Sequence, residues 1–127
     1  MSGDGDVRVV LVTAPDPVGA ARIARALVEE GLAACANLIP GVRSIYRWDG
    51  ALQDDAEVLL VLKTSAARSE ALAARVKDLH PYEFPEVLAL PVTGGSEAYL
   101  AWVLGAVGRP PGGPSACARQ GLSLIHI

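Results

Sequence analysis

The chain has 127 residues, of which 51% are hydrophobic and 5% aromatic, and its formal charge is −3 at pH 7. This length fits a single domain, and the charges form no Lys- or Arg-rich run of the kind that grips nucleic acid. Two cysteines are too few for a disulfide scaffold and favour a reduced, cytoplasmic setting, and no apolar run reaches the roughly 18 residues that span a membrane.

The first part of the sequence predicts a strand and a helix. Residues 1–6 are rich in Gly and Asp, are expected to be flexible, and carry acids where a signal peptide would carry positive charge. The β-branched run Val7–Thr13 predicts a central strand. Asp16 and Pro17 suit the start of a helix, and Gly31 suits its end. The apolar face of this helix is expected to hold Ala20, Ile23, Ala24, Leu27 and Val28.

A long hairpin is predicted next. Residues 34–48, ACANLIPGVRSIYRW, form an extended stretch in which the Pro-Gly pair at 40–41 indicates a break or bulge. The Asp-Gly pair at 49–50 favours a type I′ turn. The returning strand is expected to be ragged over residues 51–56 and strongly apolar over residues 57–64.

The second half predicts a helix, a loop and a strand. Thr64 or Ser65 can cap a helix that covers roughly residues 66–79. The segment HPYEFP at 80–85 is predicted to be an extended loop, because two prolines exclude a helix. Residues 86–92 predict a fourth strand, in which Pro91 indicates a sheet edge, the strand's end or a bulge.

A third helix and a tail complete the chain. Ser96 can cap a helix from Glu97 to about Val107. Residues 108–127 are rich in Pro, Gly and Ala and are expected to be a flexible tail. The last six residues, LSLIHI, resemble translated sequencing-adapter sequence and carry no functional inference. The predicted folded domain is therefore residues 7–107.

The order β-α-β-β-α-β with a closing helix predicts an α+β, ferredoxin-like split β-α-β fold with a four-stranded antiparallel sheet. Both main helices would cover one face of the sheet, yet the central strands are apolar on both faces. Each large apolar side chain left in water forgoes roughly 1.5–3 kcal/mol. We therefore expect other subunits to cover the second face, with coverage by the third helix alone as the alternative.

Several motifs together resemble the CutA family of divalent-cation-tolerance proteins. They are ACANLIPGVRSIYRWDG, DAEVLLVLKT, HPYEFPEV and YLAWV, in this order, and the resemblance covers roughly residues 7–107. Phe84 departs from the family, which usually has an aliphatic residue there. The resemblance implies a tight homotrimer in which the long hairpin reaches the neighbouring subunit's sheet, a role in copper and other divalent-metal tolerance, and no established catalysis.

The resemblance also implies that Cys35 and His80 bind metal. A cysteine between alanines is as well explained as a small buried hydrophobe, although its thiolate would suit Cu(I). A histidine before proline more often interacts with the helix dipole or a loop hydrogen bond. Two ligands do not complete a copper site, so Glu83, Tyr82 or a neighbouring chain would supply a third. Copper or another divalent cation is thus an expected ligand, and none is obligatory.

A second set of residues is expected to line clefts between subunits or to pack the subunit interface. Lys63 and Arg47 are candidate ion-pair partners for Asp55 and Glu57, or simple surface charges. The candidates for cleft or interface are Tyr46, Trp48, Lys63, Tyr82, Glu86 and Trp102.

Other classes of function find less support. The sequence contains none of the common catalytic motifs, which argues against an enzyme. The first strand-helix loop, residues 14–16, ends in an acid and would repel the phosphate that ferredoxin-like acylphosphatases bind. The central strands lack the aromatics of RNA-binding sheets. The remaining alternative is a signalling trimer, similar in architecture to PII proteins, that senses a small molecule in clefts between subunits.

Overall fold

The computed structural model describes residues 6–108. Most of the predicted flexible N-terminus, the predicted tail beyond residue 108, the second cysteine and the last six residues lie outside the described residues. The elements are β1 (Val7–Ala14), α1 (Pro17–Glu29), β2 (Cys35–Trp48), β3 (Ala51–Ser65), α2 (Ala66–Leu79), β4 (Val87–Pro91) and α3 (Glu97–Val107).

The four strands form one antiparallel sheet in the order β2-β3-β1-β4. This order confirms the predicted ferredoxin-like α+β fold, in which α1 and α2 pack together on one face. The core between helices and sheet is aliphatic, as the shortage of aromatic residues requires. Its larger members are Val10, Val12, Ile23, Leu27, Val58, Leu60, Leu62, Leu72 and Val76.

All three helices begin at the predicted capping positions. Asp16, Ser65 and Ser96 each accept a hydrogen bond from the backbone N–H three residues later, at 2.7, 3.2 and 3.3 Å. Thr64, the alternative cap for α2, instead donates its hydroxyl hydrogen to the carbonyl of Leu32 at 2.7 Å. This bond fastens β3 to the segment that connects α1 with β2.

The Pro-Gly pair in β2 produces the predicted irregularity. The pairing of β2 with β3 shifts register between Ile39 and Val42, and Gly41 has a φ of +80°. A left-handed residue of this kind is typical of a bulge that bends a strand. The bulge therefore divides the hairpin into a part within the sheet and a distal part that extends beyond it.

The hairpin turn is formed by Asp49 and Gly50, whose φ angles of 52° and 77° are both positive, as a type I′ turn requires. The prediction that residues 51–56 are ragged was wrong. They form a regular part of β3, because the distal part of β2 pairs with them residue by residue.

The opposite face of the sheet, here called the open face, is only partly covered. Helix α3 packs at one end of it, where Val103 and Val107 bury Val7 and Ala34. The rest is mainly apolar, interrupted by Asn37 and Lys63, and its aliphatic residues are half-buried or exposed, with Ile39, Leu88 and Leu90 between 45% and 54% exposed. Its aliphatic members, identified by alternation along the paired strands, are Val9, Leu11, Ile39, Leu59, Val61, Leu88 and Leu90.

Candidate functional site

A cleft of about 660 Å³ lies between the distal part of the hairpin and the loop that joins α2 to β4. Thr13 and Glu57 line its floor. Each lies two residues along its strand from an open-face residue, Leu11 in β1 and Leu59 in β3, so both side chains are on the open face. The cleft therefore opens on the same face of the sheet that α3 leaves uncovered. This cleft, here called the hairpin cleft, is lined by Thr13, Ser44, Ile45, Tyr46, Trp48, Glu57, Tyr82, Glu83, Phe84 and Glu86.

His80 fixes the loop that forms one wall of the hairpin cleft. The buried ring places Nε2 2.7 Å from the carbonyl oxygen of Thr13 and Nδ1 3.1 Å from the backbone nitrogen of Tyr82. Because the Tyr82 N–H donates to Nδ1, that nitrogen carries no proton, and Nε2–H donates to Thr13. Both ring nitrogens are thus engaged within the chain, in the kind of loop hydrogen bond that the sequence allowed.

Two phenol–carboxylate pairs stand side by side next to this loop. Tyr82 Oη donates to Glu57 Oε2 at 3.0 Å, and Tyr46 Oη donates to Asp55 Oδ2 at 2.6 Å. Burial, reinforced by the hydrogen bond to Glu57, raises the pKa of Tyr82 to about 12. The hydrogen bond to Asp55 raises the pKa of Tyr46 as well. Both phenols therefore remain neutral donors across the physiological range.

The predicted ion pairs of these carboxylates are not formed within the described residues. Lys63 Nζ donates to the side-chain oxygen of Asn37, and no ion pair connects Arg47 with Asp55 or Glu57 in this part of the chain. The phenols of Tyr46 and Tyr82 donate to these two carboxylates instead. The hairpin cleft is consequently acidic: Glu57, Glu83 and Glu86 line it, and no Lys, Arg or His of residues 6–108 does.

Aromatic side chains form the upper walls of the hairpin cleft. The rings of Trp48 and Phe84 lie 6.2 Å apart, in a tilted arrangement, and are 51% and 70% exposed. Phe84 therefore widens an aromatic surface rather than filling the core. Exposed aromatic walls beside acids can contact an apolar body and a positive charge together.

A second group of chemically distinctive residues, here called the Cys35 cluster, lies where α3 meets the open face. Cys35 Sγ is 3.4 Å from Tyr99 Oη, and burial together with this contact raises the pKa of Tyr99 to about 12. The rings of Tyr99 and Trp102 lie 5.6 Å apart. The indole Nε1 of Trp102 is buried without a hydrogen-bond partner among the described residues. The cluster also includes Lys63, which pairs directly with Cys35 across the strands.

The predicted metal ligands do not converge within one copy of the chain. Cys35 lies in the row of Val9, whereas His80 contacts Thr13, four residues or about 13 Å further along β1. In residues 6–108 no three His, Cys, Asp or Glu side chains are grouped closely enough to hold one metal ion. Metal binding by Cys35, His80 and Glu83 therefore stays a prediction.

Sequence reasoning put forward six residues for clefts between subunits or for the subunit interface, of which Tyr46, Trp48, Tyr82 and Glu86 line the hairpin cleft of one copy, whereas Lys63 and Trp102 do not. It did not single out the residues on which their geometry depends. In the sequence, Glu57 is distinguished only as an acidic residue at the start of the apolar segment 57–64. The residues missed are Thr13, Glu57 as a cleft-lining acid, Phe84 as a cleft wall, and Tyr99 as the partner of Cys35.

The fold and these two places define a small ferredoxin-like α+β protein with a half-exposed thiol and an acidic, aromatic cleft on an apolar sheet face. No helix in residues 6–108 has the length and apolar character needed to cross a bilayer. The chain belongs to the CutA1 divalent ion tolerance protein family, whose sequence model matches residues 8–106.

Individual relatives agree with this assignment. The chain is 52% identical over 95 residues to the divalent-cation tolerance protein CutA of Thermus thermophilus, covering 75% of this chain and 92% of that protein. It is 46% identical to the chloroplastic protein CutA of Arabidopsis thaliana, covering 75% of this chain and 52% of that longer protein. The crystal structure of CutA from Xylella fastidiosa superposes with a TM-score of 0.79 at 40% identity, covering 80% of this chain and 98% of that one.

Proposed function

We propose that the protein is a homotrimer that binds copper or another divalent cation as part of metal tolerance, without catalysing a reaction. The observation that carries the proposal is the free Cys35 thiol, half-exposed at the edge of the open face and beside the Tyr99 hydroxyl. A thiolate is the ligand that soft copper(I) prefers. The name of the family supplies the link to divalent cations.

Assembly and metal binding support each other in this proposal. One copy lacks a group of three ligands among its described residues, so the missing ligands would come from a neighbouring copy. The open face offers the apolar surface that such an assembly would bury, and the distal hairpin, which projects beyond the sheet, would contact a neighbour in it. His80 would join the site through Nδ1 by giving up the Tyr82 N–H while Nε2–H stays on Thr13, and Glu83 is exposed.

Calorimetric titration of copper(I) and copper(II) tests the metal-binding proposal. We expect Cys35→Ser to weaken copper(I) binding by about tenfold or more, since even the partners of metal ligands are worth that much. His80→Ala reports whether the imidazole contributes to metal binding. If the wild type and Cys35→Ser bind copper alike, Cys35 is not the anchor of the site.

Light scattering during gel filtration tests the assembly. We expect a mass three times the 13.2 kDa of one chain, retained on dilution to micromolar concentration. A cooperatively folded species with the mass of one chain would contradict the trimer. The measurement needs no metal and therefore separates the two parts of the proposal.

A second candidate function is the sensing of a small molecule at the boundary between copies, in the manner of PII proteins. The hairpin cleft favours it, because its volume lies within the 300–1,000 Å³ typical of ligand sites and it opens on the face available for assembly. Thermal-shift screening against a metabolite panel tests this candidate. A panel without any stabilising compound would count against it.

The cellular setting is part of the proposal. We infer a cytoplasmic location because the chain has only two cysteines and Cys35 forms no disulfide bond in the structure, as is usual in a reducing compartment. The Arabidopsis relative carries a chloroplastic designation. Fractionation of cells that express the full chain with an epitope tag tests the location, and recovery with an organelle or envelope fraction would contradict it.

A further inference from the structure

Glu57 is a buried acid in the hairpin cleft that has no basic partner among residues 6–108. The residue is only 5% exposed, and in this part of the chain Tyr82 is the hydrogen-bond donor to its carboxylate. Buried carboxylates are normally paired with a positive charge or several donors. Among residues 6–108 no Lys, Arg or His lines the hairpin cleft, so one copy of the chain leaves the positive charge to be supplied by a ligand.

The spacing of the cleft acids argues against a single metal ion as that ligand. Glu83 and Glu86 are exposed at the mouth, whereas Glu57 is buried on the floor. Within residues 6–108 these acids do not form a group that could hold one ion. Acids distributed over a cleft match a ligand whose positive charges are likewise distributed.

The side chains in the walls of the hairpin cleft indicate which kind of group joins the positive charges of the ligand. Tyr46, Tyr82, Trp48 and Phe84 present aromatic surface between the floor and the mouth. Such surface packs against methylene groups and attracts ammonium groups through the ring faces. The pKa of Tyr82 is about 12, so this ring stays a neutral donor to Glu57 while a cation is bound.

We propose that the hairpin cleft binds a linear aliphatic polyamine, with one ammonium group on Glu57, a second toward Glu83 or Glu86, and the methylene chain against Trp48 and Phe84. The inference rests on the second candidate function, the sensing of a small molecule, and names the chemical class of its ligand. It is independent of copper binding at Cys35, which lies at the other end of the open face.

Isothermal titration of the full chain with spermidine at low ionic strength tests the inference. We expect saturable binding of one spermidine per chain, which weakens as salt is added, and no binding of the uncharged isostere 1,8-octanediol. Glu57→Gln should weaken spermidine binding by about tenfold or more, because a buried charged hydrogen bond is lost. Glu70→Gln, a matched substitution at an exposed position of α2 outside the cleft, should leave the affinity unchanged.

A second variant keeps the test decisive if Glu57→Gln disturbs folding. Both Glu83 and Glu86 are exposed, so the double substitution Glu83→Gln/Glu86→Gln leaves the core intact, and we expect it to weaken spermidine binding several-fold. Absence of saturable binding by the wild type, or equal binding by the wild type and the double variant, would overturn the proposal.

The outcome also separates this inference from the function on which it rests. If spermidine does not bind but another compound of the metabolite panel stabilises the wild type and not Glu57→Gln, the cleft is a sensing site for a different ligand class. If neither spermidine nor any panel compound binds, the sensing function fails together with the inference.

Discussion

Tyr82 donates its phenol hydrogen to a carboxylate that is almost fully buried, so its substitution tests how the hairpin cleft is held together. We expect Tyr82→Phe to lower the free energy of unfolding by about 1–2 kcal/mol at pH 7, because Glu57 loses its donor while remaining buried. Urea unfolding at fixed protein concentration measures this loss, since assembly would make stability depend on concentration.

Tyr99→Phe provides the matched control for this substitution. It removes a phenol hydroxyl of similar exposure whose contact is a sulfur atom at 3.4 Å rather than a carboxylate, so the loss should be clearly smaller. Equal losses in the two variants would show that the bond to Glu57 contributes nothing specific.

The same two phenols predict how stability responds to alkaline pH. The pKa values of Tyr82 and Tyr99 are raised from 10 to about 12 in the folded protein, so the folded state keeps protons that the unfolded state releases. Their stabilising contribution is present below pH 10 and is lost as the pH rises to about 12. Stability should therefore fall over this interval, and less steeply in Tyr82→Phe.

Tyrosinate absorbance measures the titration directly. The chain has three tyrosines, and the raised pKa values predict that ionisation begins above the ordinary value of 10. Tyr82→Phe should remove one of the late steps. Ionisation of all three near pH 10, in a protein that is still folded, would contradict the hydrogen bonds described here.

The sequence indicates which types of residue form the candidate site, but it does not indicate which side chains pair with each other there. Tyrosine, tryptophan and glutamate clustered in two motifs indicated either a cleft wall between subunits or a packed subunit interface. The partner of each carboxylate depends on strand register and on the path of a loop. The sequence therefore offered Lys63 and Arg47 either as partners of Asp55 and Glu57 or as surface charges, whereas the fold brings two phenols to these acids.

At the scale of elements, the hairpin depends on backbone conformation that only its turn residues supply. Gly50 has a φ of +77°, and a Cβ added there would meet no atom within 4 Å, so Gly50→Ala changes only the backbone energy. We expect a loss of about 1 kcal/mol in the free energy of unfolding. Gly105→Ala, in the exposed turn of α3 with equally open surroundings, should instead raise stability by roughly 0.5–1 kcal/mol.

The two substitutions are expected to change the free energy of unfolding in opposite directions. Chemical unfolding of both variants measures these changes side by side. If Gly50→Ala stabilised the protein as Gly105→Ala does, the left-handed turn would be absent in solution. The distal hairpin, and with it one wall of the hairpin cleft, would then be arranged differently.

The elements that carry strong local signals were predictable. Helix caps, the Asp-Gly turn, the Pro-Gly bulge and the edge position of Pro91 all depend on backbone preferences of the residues themselves. Residues 51–56 were not predictable in this way, because acids and alanine have weak strand preference. Pairing with β2 overrides that preference and keeps the strand regular.

At the scale of the whole molecule, the open face connects the fold with both proposed functions. It carries the Cys35 cluster at one end, the hairpin cleft at the other, and exposed aliphatic side chains between them. The sequence predicted an oily second face from apolar residues on both sides of the central strands. It left open how much of that face the last helix covers, because the position of α3 is decided by packing over long sequence separations.

Leu88→Lys tests whether the open face is the surface of assembly. Leu88 is 54% exposed on the edge strand β4, directly opposite Leu11. A lysine there costs little in one copy but places an unpaired charge in any apolar interface formed on this face. We expect light scattering to show dissociation toward the mass of one chain, with the helical circular dichroism signal retained.

Val18→Lys is the matched control, since Val18 is 81% exposed at the start of α1, on the opposite side of the sheet. It introduces the same charge in place of another exposed aliphatic residue and should leave the mass unchanged. If Leu88→Lys kept the trimer while Val18→Lys dissolved it, the copies would meet through the helical layer. The hairpin cleft and the Cys35 cluster would then face solvent, and neither could take its missing ligands or walls from a neighbouring copy.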